Sequence, residues 1–169
     1  MLPNTAALLS RLAQLRGLRV TAGIQAEEGA AAAQDDEGPV TVLKKAIWLE
    51  FGTKRKGQEE GEFHSPPRPF LRSTLARYRR DWTESLRKRV RLSLRGHAGL
   101  TPEAVALRTG NEMRVGIQTQ MDSAVPPFIE NAQSTKDAKR SSQPTIDTTQ
   151  TQNSLRFAAY LGDTEVGRG

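Results

Sequence analysis

The stretch from Arg68 to Gly96, RPFLRSTLARYRRDWTESLRKRVRLSLRG, decides the fold. Leu71, Leu75, Tyr78, Trp82, Leu86, Val90 and Leu94 recur at intervals of three and four, which predicts one amphipathic helix of about six turns. Gly96 stands just beyond, where a helix ends readily. A helix this long with a single apolar stripe serves as the centre of a core. Arg79, Arg80, Arg87, Lys88, Arg89 and Arg91 lie outside the stripe. Ten Arg and Lys fall between Arg68 and Arg95 against Asp81 and Glu84, a local charge of +8 in a chain of net +6, so the remainder nets −2. Two readings of that face stand side by side: an ordinary solvated surface, or one that meets nucleic acid or an acidic protein.

Upstream, Pro39 opens a second helical pattern in which Val40, Leu43, Ile47 and Phe51 share a face and Gly52 ends the run. Thr53 to Pro67 is charged and rich in Gly and Pro, an exposed connection. At the start, Pro3 and Asn4 precede Leu8, Leu12 and Leu15 at helical spacing, with Gly17 as the stop. Val20, Ala22 and Ile24 then alternate with Arg19, Thr21 and Gly23 as a half-buried strand. From Ala26 to Gly38 the chain is Ala, Gly and acid, which predicts a mobile surface loop.

Downstream, Thr101-Pro102-Glu103 combines a side-chain cap, a Pro whose missing N–H costs nothing there and an acid against the dipole. The helix it opens is expected to reach about Met121, with Val105, Met113, Ile117 and Met121 inward, and Pro126-Pro127 closes the segment. Gly110 and Gly116 each cost about 1 kcal/mol relative to Ala, so they mark close packing or a bend. Asn131 to Gln143 is a polar loop, and Asp147 caps a short turn with Gln150 three residues on. Leu155, Phe157 and Ala159 alternate with Arg156, Ala158 and Tyr160 as a second strand, and 163–169 is a flexible tail. The expected fold is α+β: one domain over 1–162, with a small antiparallel sheet packed on a long central helix and two to three further helices. Mobile loops are expected at 26–38, 53–66 and 131–143.

The 169 residues suffice for one hydrophobic core, and 36% hydrophobic residues with 14 Gly mark a globular chain with generous loops. There is no Cys, so disulfides, zinc–thiolate sites and a cysteine nucleophile are excluded. No apolar run approaches ~18 residues and no signal pattern opens the chain, so neither a membrane protein nor a secreted one is expected. Gly52-Thr53-Lys54-Arg55-Lys56-Gly57 lacks the Lys-Ser/Thr pair of a phosphate-binding loop, and neither a Gly-x-Ser-x-Gly elbow nor His-Glu-x-x-His occurs. Glu59, Glu60, Glu62 and His64 could bind a divalent cation only if a loop held them in place, which makes a solvated loop the stronger reading. Asp35-Asp36 sits in the Ala-rich loop, where nothing shifts a carboxylate. No catalytic residue, cofactor or metal is therefore expected, and the chain does not read as an enzyme. Thr101 to Leu107 followed by Gly110 faintly suggests a helix-turn-helix, with Asn111, Arg114, Gln118 and Gln120 to read bases. Val105, Met113 and Ile117 continue one stripe across that turn and favour a single helix.

Three short sequences carry a family resemblance. Leu49-Glu50-Phe51-Gly52-Thr53 precedes Pro66-Pro67-Arg68-Pro69-Phe70-Leu71-Arg72, and Pro144-Thr145-Ile146-Asp147-Thr148 later leads into Asn153-Ser154-Leu155. In this order, with Val125-Pro126-Pro127 between, they resemble the tail-completion, or minor tail-component, family of tailed bacteriophages. The resemblance runs from the first helix to about Gly162. Thr149, Thr151 and Gln152 depart from it, where the family commonly has Gly, Leu and Arg.

The resemblance implies a virion structural protein of the neck or head-proximal tail end, assembled in the host cytoplasm. It would form a homo-oligomeric ring, six-fold, between the head connector and the tail terminator or tail tube, with transient contact to genome DNA. Loops 26–38 and 131–143 would be its partner-contacting arms. Glu50, Phe51, Gly52, Arg68, Pro69, Phe70 and Asp147 would be its structural motif residues. A carboxylate at a helix end is unfavourable by dipole logic, so Glu50 wants a cation, and Arg68 is the natural candidate. Pro66, Pro67 and Pro69 stiffen the entry to the long helix, and Phe70 anchors it. Arg79, Arg80, Arg87 and Arg91 are candidates for a ring lumen or a subunit interface. A tail terminator, a small DNA-binding protein using 68–95, or a regulator using Leu100 to Gln120 are the alternatives.

Overall fold

The computed structural model describes residues 5–30, 40–54, 65–123 and 150–169. In chain order these form α1 (Thr5–Arg16), β1 (Leu18–Ile24), α2 (Ala26–Gly29), α3 (Val42–Phe51), α4 (Phe70–Leu94), α5 (Pro102–Asp122), α6 (Gln150–Asn153), β2 (Leu155–Leu161) and β3 (Thr164–Arg168). The fold is α+β, with helices packed on a three-stranded antiparallel sheet in the order β1-β2-β3. The chain groups into two compact units: one of Met1–Gly23, Arg77–Gly116 and Arg156–Gly169, the other of Ile24–Ala76 and Ile117–Leu155. Both α4 and α5 run without a break across that division, so neither sequence stripe contains a boundary to read.

The first unit is built on the sheet. Ala106 of α5 and Phe157 and Ala159 of β2 are buried together, ringed by Leu18, Val20, Ala22, Leu107 and Val166. This matches the alternation of β1 and β2. Gly110 lets α5 close on the Phe157 ring, and Gly116 lies where a Cβ would meet Trp82 at 2.7 Å. Close packing, not a bend, explains both glycines. Thr101 caps α5 by accepting from the Ala104 N–H at 3.2 Å. Tyr78 and Trp82 of α4 stack at 5.9 Å between centroids.

The expected tail is a strand. Gly162, at φ 62, turns β2 into β3, and Leu161 pairs with Thr164 and Ala159 with Gly167, with a bulge between Ala159 and Tyr160. Phe157 and Gly169 exchange both backbone hydrogen bonds, at 2.6 and 3.1 Å. Val166 is the one large apolar residue of β3, too little alternation for the sequence to announce a strand.

In the second unit Val42, Ala46, Phe70, Ile117, Met121 and Leu155 are buried. Helix α3 starts after Pro39, at Val42, because Thr41 is its cap and accepts from the Lys44 N–H at 3.3 Å. Gly52, at φ 75, ends it, its N–H donating to Trp48 O at 2.8 Å. The helix also faces the other way from the expectation. Leu43, Ile47 and Phe51 are 45%, 47% and 57% exposed, while Val42, Ala46 and Glu50 are buried. Leu71 and Leu75 are likewise exposed, because the first turns of α4 bury Phe70 and Thr74 instead.

The expected loop from Ala26 begins as the single turn α2, where Gly29 lies against Leu43 and Ile24. Within the expected connection 53–66, Thr53 and Ser65 form an antiparallel bridge. The loop expectations at 31–38 and 131–143, Pro126-Pro127, Asp147, Asp35-Asp36 and the Glu59, Glu60, Glu62 and His64 group lie outside the described residues.

Candidate functional site

Two of the quoted motifs meet in one junction. The first helical residue of α4 is Phe70, preceded by Pro69, whose side chain offers no cap. The Leu71 and Arg72 N–H groups are therefore among the donors that a helix start leaves without a local partner. Glu50, 4% exposed in the last turn of α3, supplies the acceptors. Its Oε2 accepts from Leu71 N at 2.9 Å and its Oε1 from Arg72 N at 3.1 Å. Arg72 completes the clasp, donating Nε to Oε1 at 2.9 Å and Nη2 to the Glu50 carbonyl at 2.8 Å. The Arg72 guanidinium also lies 4.8 Å from the centre of the Phe51 ring.

Arg72 is thus a cation paired with Glu50, one that the sequence reading did not name. Dipole logic identified the need for positive charge, and the carboxylate of α3 also sits at the positive end of α4, where a negative charge is favoured. Arg68 serves the same junction through its backbone, its N–H donating to Leu49 O at 2.6 Å. Its side chain is buried, and that burial pulls its pKa below the usual arginine value. Phe70 is fully buried, as an anchor of the helix entry must be. Thr74 donates to Phe70 O and Ser73 to Pro69 O, which ties the first turn together.

The cationic residues of α4 separate by position. Arg79, Arg80, Arg87 and Arg91 are all exposed. Arg80 is neutralised by Glu84 at 3.2 Å, and Arg89 turns to Glu112 at 2.6 Å and Thr109 at 3.4 Å. Arg87 and Arg91 instead share a shallow cleft of about 340 Å³ with Glu84, Lys88, Leu92 and Arg95. Arg79 is not in its lining. Lys88 and Arg95 were not singled out for this site from sequence, although Arg95 follows Arg87 and Arg91 at four-residue spacing just past the end of α4.

A third surface is apolar. Leu43, Ile47, Trp48 and Phe51 of α3 stand outward, with the Lys44 ammonium 5.2 Å from the Trp48 ring. The helix-turn-helix reading fails: α5 is one helix from Pro102 to Asp122, Gln120 is buried, and Asn111 is engaged by Arg114 at 3.0 Å. Among the described residues, no group of three or more His, Cys, Asp or Glu is placed to hold a metal, and no helix is long and apolar enough to cross a membrane. Compared with family models, curated proteins and solved structures, the chain finds no match in any of the three.

Proposed function

We propose that this chain is a structural subunit of a tailed-bacteriophage virion, a tail-completion protein that closes the neck as part of a ring. The observation that carries the reading is the junction itself. The Glu-Phe-Gly-Thr and Pro-Arg-Pro-Phe-Leu segments, well separated in sequence, meet through Glu50, Leu71 and Arg72, and Arg68 N bonds Leu49 O beside them. Motifs that serve one local structure have a reason to occur as an ordered set.

The work of such a protein is geometric. The Glu50 clasp sets how the end of α3 meets the start of α4. The apolar side chains on the outer face of α3 then suit a contact with a neighbouring subunit, since exposed apolar patches commonly mark interaction sites. Repeated head-to-tail contacts close into a ring when the rotation allows, and the two ring faces then meet different proteins, the head connector on one side and the tail terminator or tube on the other.

The test is genetic and visual. Particles assembled without this chain should appear in negative stain as filled heads beside separate tails of normal length. Tails of uncontrolled length would assign it as a tail terminator instead, and normally joined particles would overturn both readings.

A further inference from the structure

We propose that the cleft formed by Arg87, Lys88, Arg91 and Arg95 binds the phosphodiester backbone of nucleic acid. The inference goes beyond the virion reading and does not rest on it. Arg87 and Arg91 lie in the last turns of α4 with Lys88 alongside, and Arg95 follows just past its end, its N–H still donating to Arg91 O at 3.2 Å, so the row runs about 12 Å along the helix axis. A straight row of like charges matches a ligand whose own charges are repeated along a line.

Among the described residues, the charge of this row, Arg87, Lys88, Arg91 and Arg95, has no ion-pair partner. Arg72, Arg80, Arg89 and Arg168 each hold a glutamate. Glu84, the acid in the lining, is already engaged by Arg80. These side chains keep their donors available, and arginine presents them as a planar fork suited to phosphate oxygens.

An acidic protein would meet the same charge, but the lining argues against it. Protein interfaces centre on apolar and aromatic anchors and are depleted of lysine, whereas nucleic-acid interfaces are more polar and far more positive. Leu92 is the one apolar side chain in this lining. The exposed apolar face of α3 is the contrasting kind of surface.

The full chain is to be titrated into fluorescently labelled duplex DNA of about 30 base pairs, and into one of its single strands, between about 50 and 200 mM NaCl. Four phosphate contacts give log affinity a slope against log salt of about −3.6 on the duplex and about −2.8 on the single strand. Duplex binding should therefore weaken about a hundredfold across that range. Arg87→Gln, Arg91→Gln and Arg95→Gln should each flatten the slope by about 0.9. The quadruple variant that adds Lys88→Gln should nearly abolish it, with helix content checked by circular dichroism. The single variants carry the test if the quadruple one does not fold. Arg79→Gln, on the same helix but outside the cleft and with no part in the Arg80–Glu84 pair, should leave the slope unchanged. Salt-independent binding by the wild-type chain overturns the proposal, as does an equal loss of slope in the Arg79→Gln variant. Tighter binding to polyglutamate than to DNA would overturn it in favour of an acidic protein.

Discussion

Replacing Glu50 by Ala strands two amide donors at the start of α4 and removes the acceptor of Arg72. A lost cap costs about 1 kcal/mol, and an unsatisfied buried donor about 1–3, so Glu50→Ala should destabilise the chain by about 2–4 kcal/mol. Glu50→Gln keeps one acceptor oxygen and should lose about half of that. Arg72→Ala should cost no more than about 1 kcal/mol, because its side chain is 60% exposed and the pair is screened on that side. Urea unfolding of the three variants checks the order, and equal losses for Arg72→Ala and Glu50→Ala would show that the ion pair, not the cap, matters. The sequence showed that Glu50 needed a positive partner. That the partner was largely a helix start was not legible, because a capping interaction across 21 residues leaves no local pattern. Gly110 and Gly116 were legible as costly residues in a helix, but only the neighbouring Phe157 and Trp82 rings explain them.

Elements differ in how openly they show themselves. The periodicity of α4 and α5 announced both, since 25 and 21 residues of regular spacing leave little room for another reading. For α3 the same logic found the helix but not its orientation. Leu43, Ile47 and Phe51 repeat every four residues, and so do Val42, Ala46 and Glu50. Periodicity cannot separate a face turned to a core from one turned to a partner. The consequence is testable. Ile47→Glu, at a side chain 47% exposed, should leave the unfolding midpoint nearly unchanged yet prevent joining of subunits. Val42→Ala, at a fully buried position, should cost about 1–3 kcal/mol. Thermal melts of both, read against particle assembly, check the pair; a folded Ile47→Glu chain that assembles normally would remove α3 from the subunit contact.

On the scale of the whole molecule, the α+β class followed from counting helical stripes and alternating runs, whereas the division into two compact units did not. Composition points to behaviour in solution. A chain of net +6 with 26% charged residues should stay soluble and monomeric alone, joining a ring only on its neighbours in the particle. Static light scattering at micromolar concentration should return a mass near 18.6 kDa. A large stable ring in isolation would show that assembly needs no template.

The clasp at the head of α4 also makes a clock. First-turn amides of a helix ordinarily trade their hydrogens with water at once, having no carbonyl a turn behind to hold them. Those of Leu71 and Arg72 are held by a carboxylate from a different helix. In heavy water, these two signals should outlast the usual fate of such positions for as long as α3 stays seated, then fade together. Their shared decay would time each lifting of α3 with no label attached.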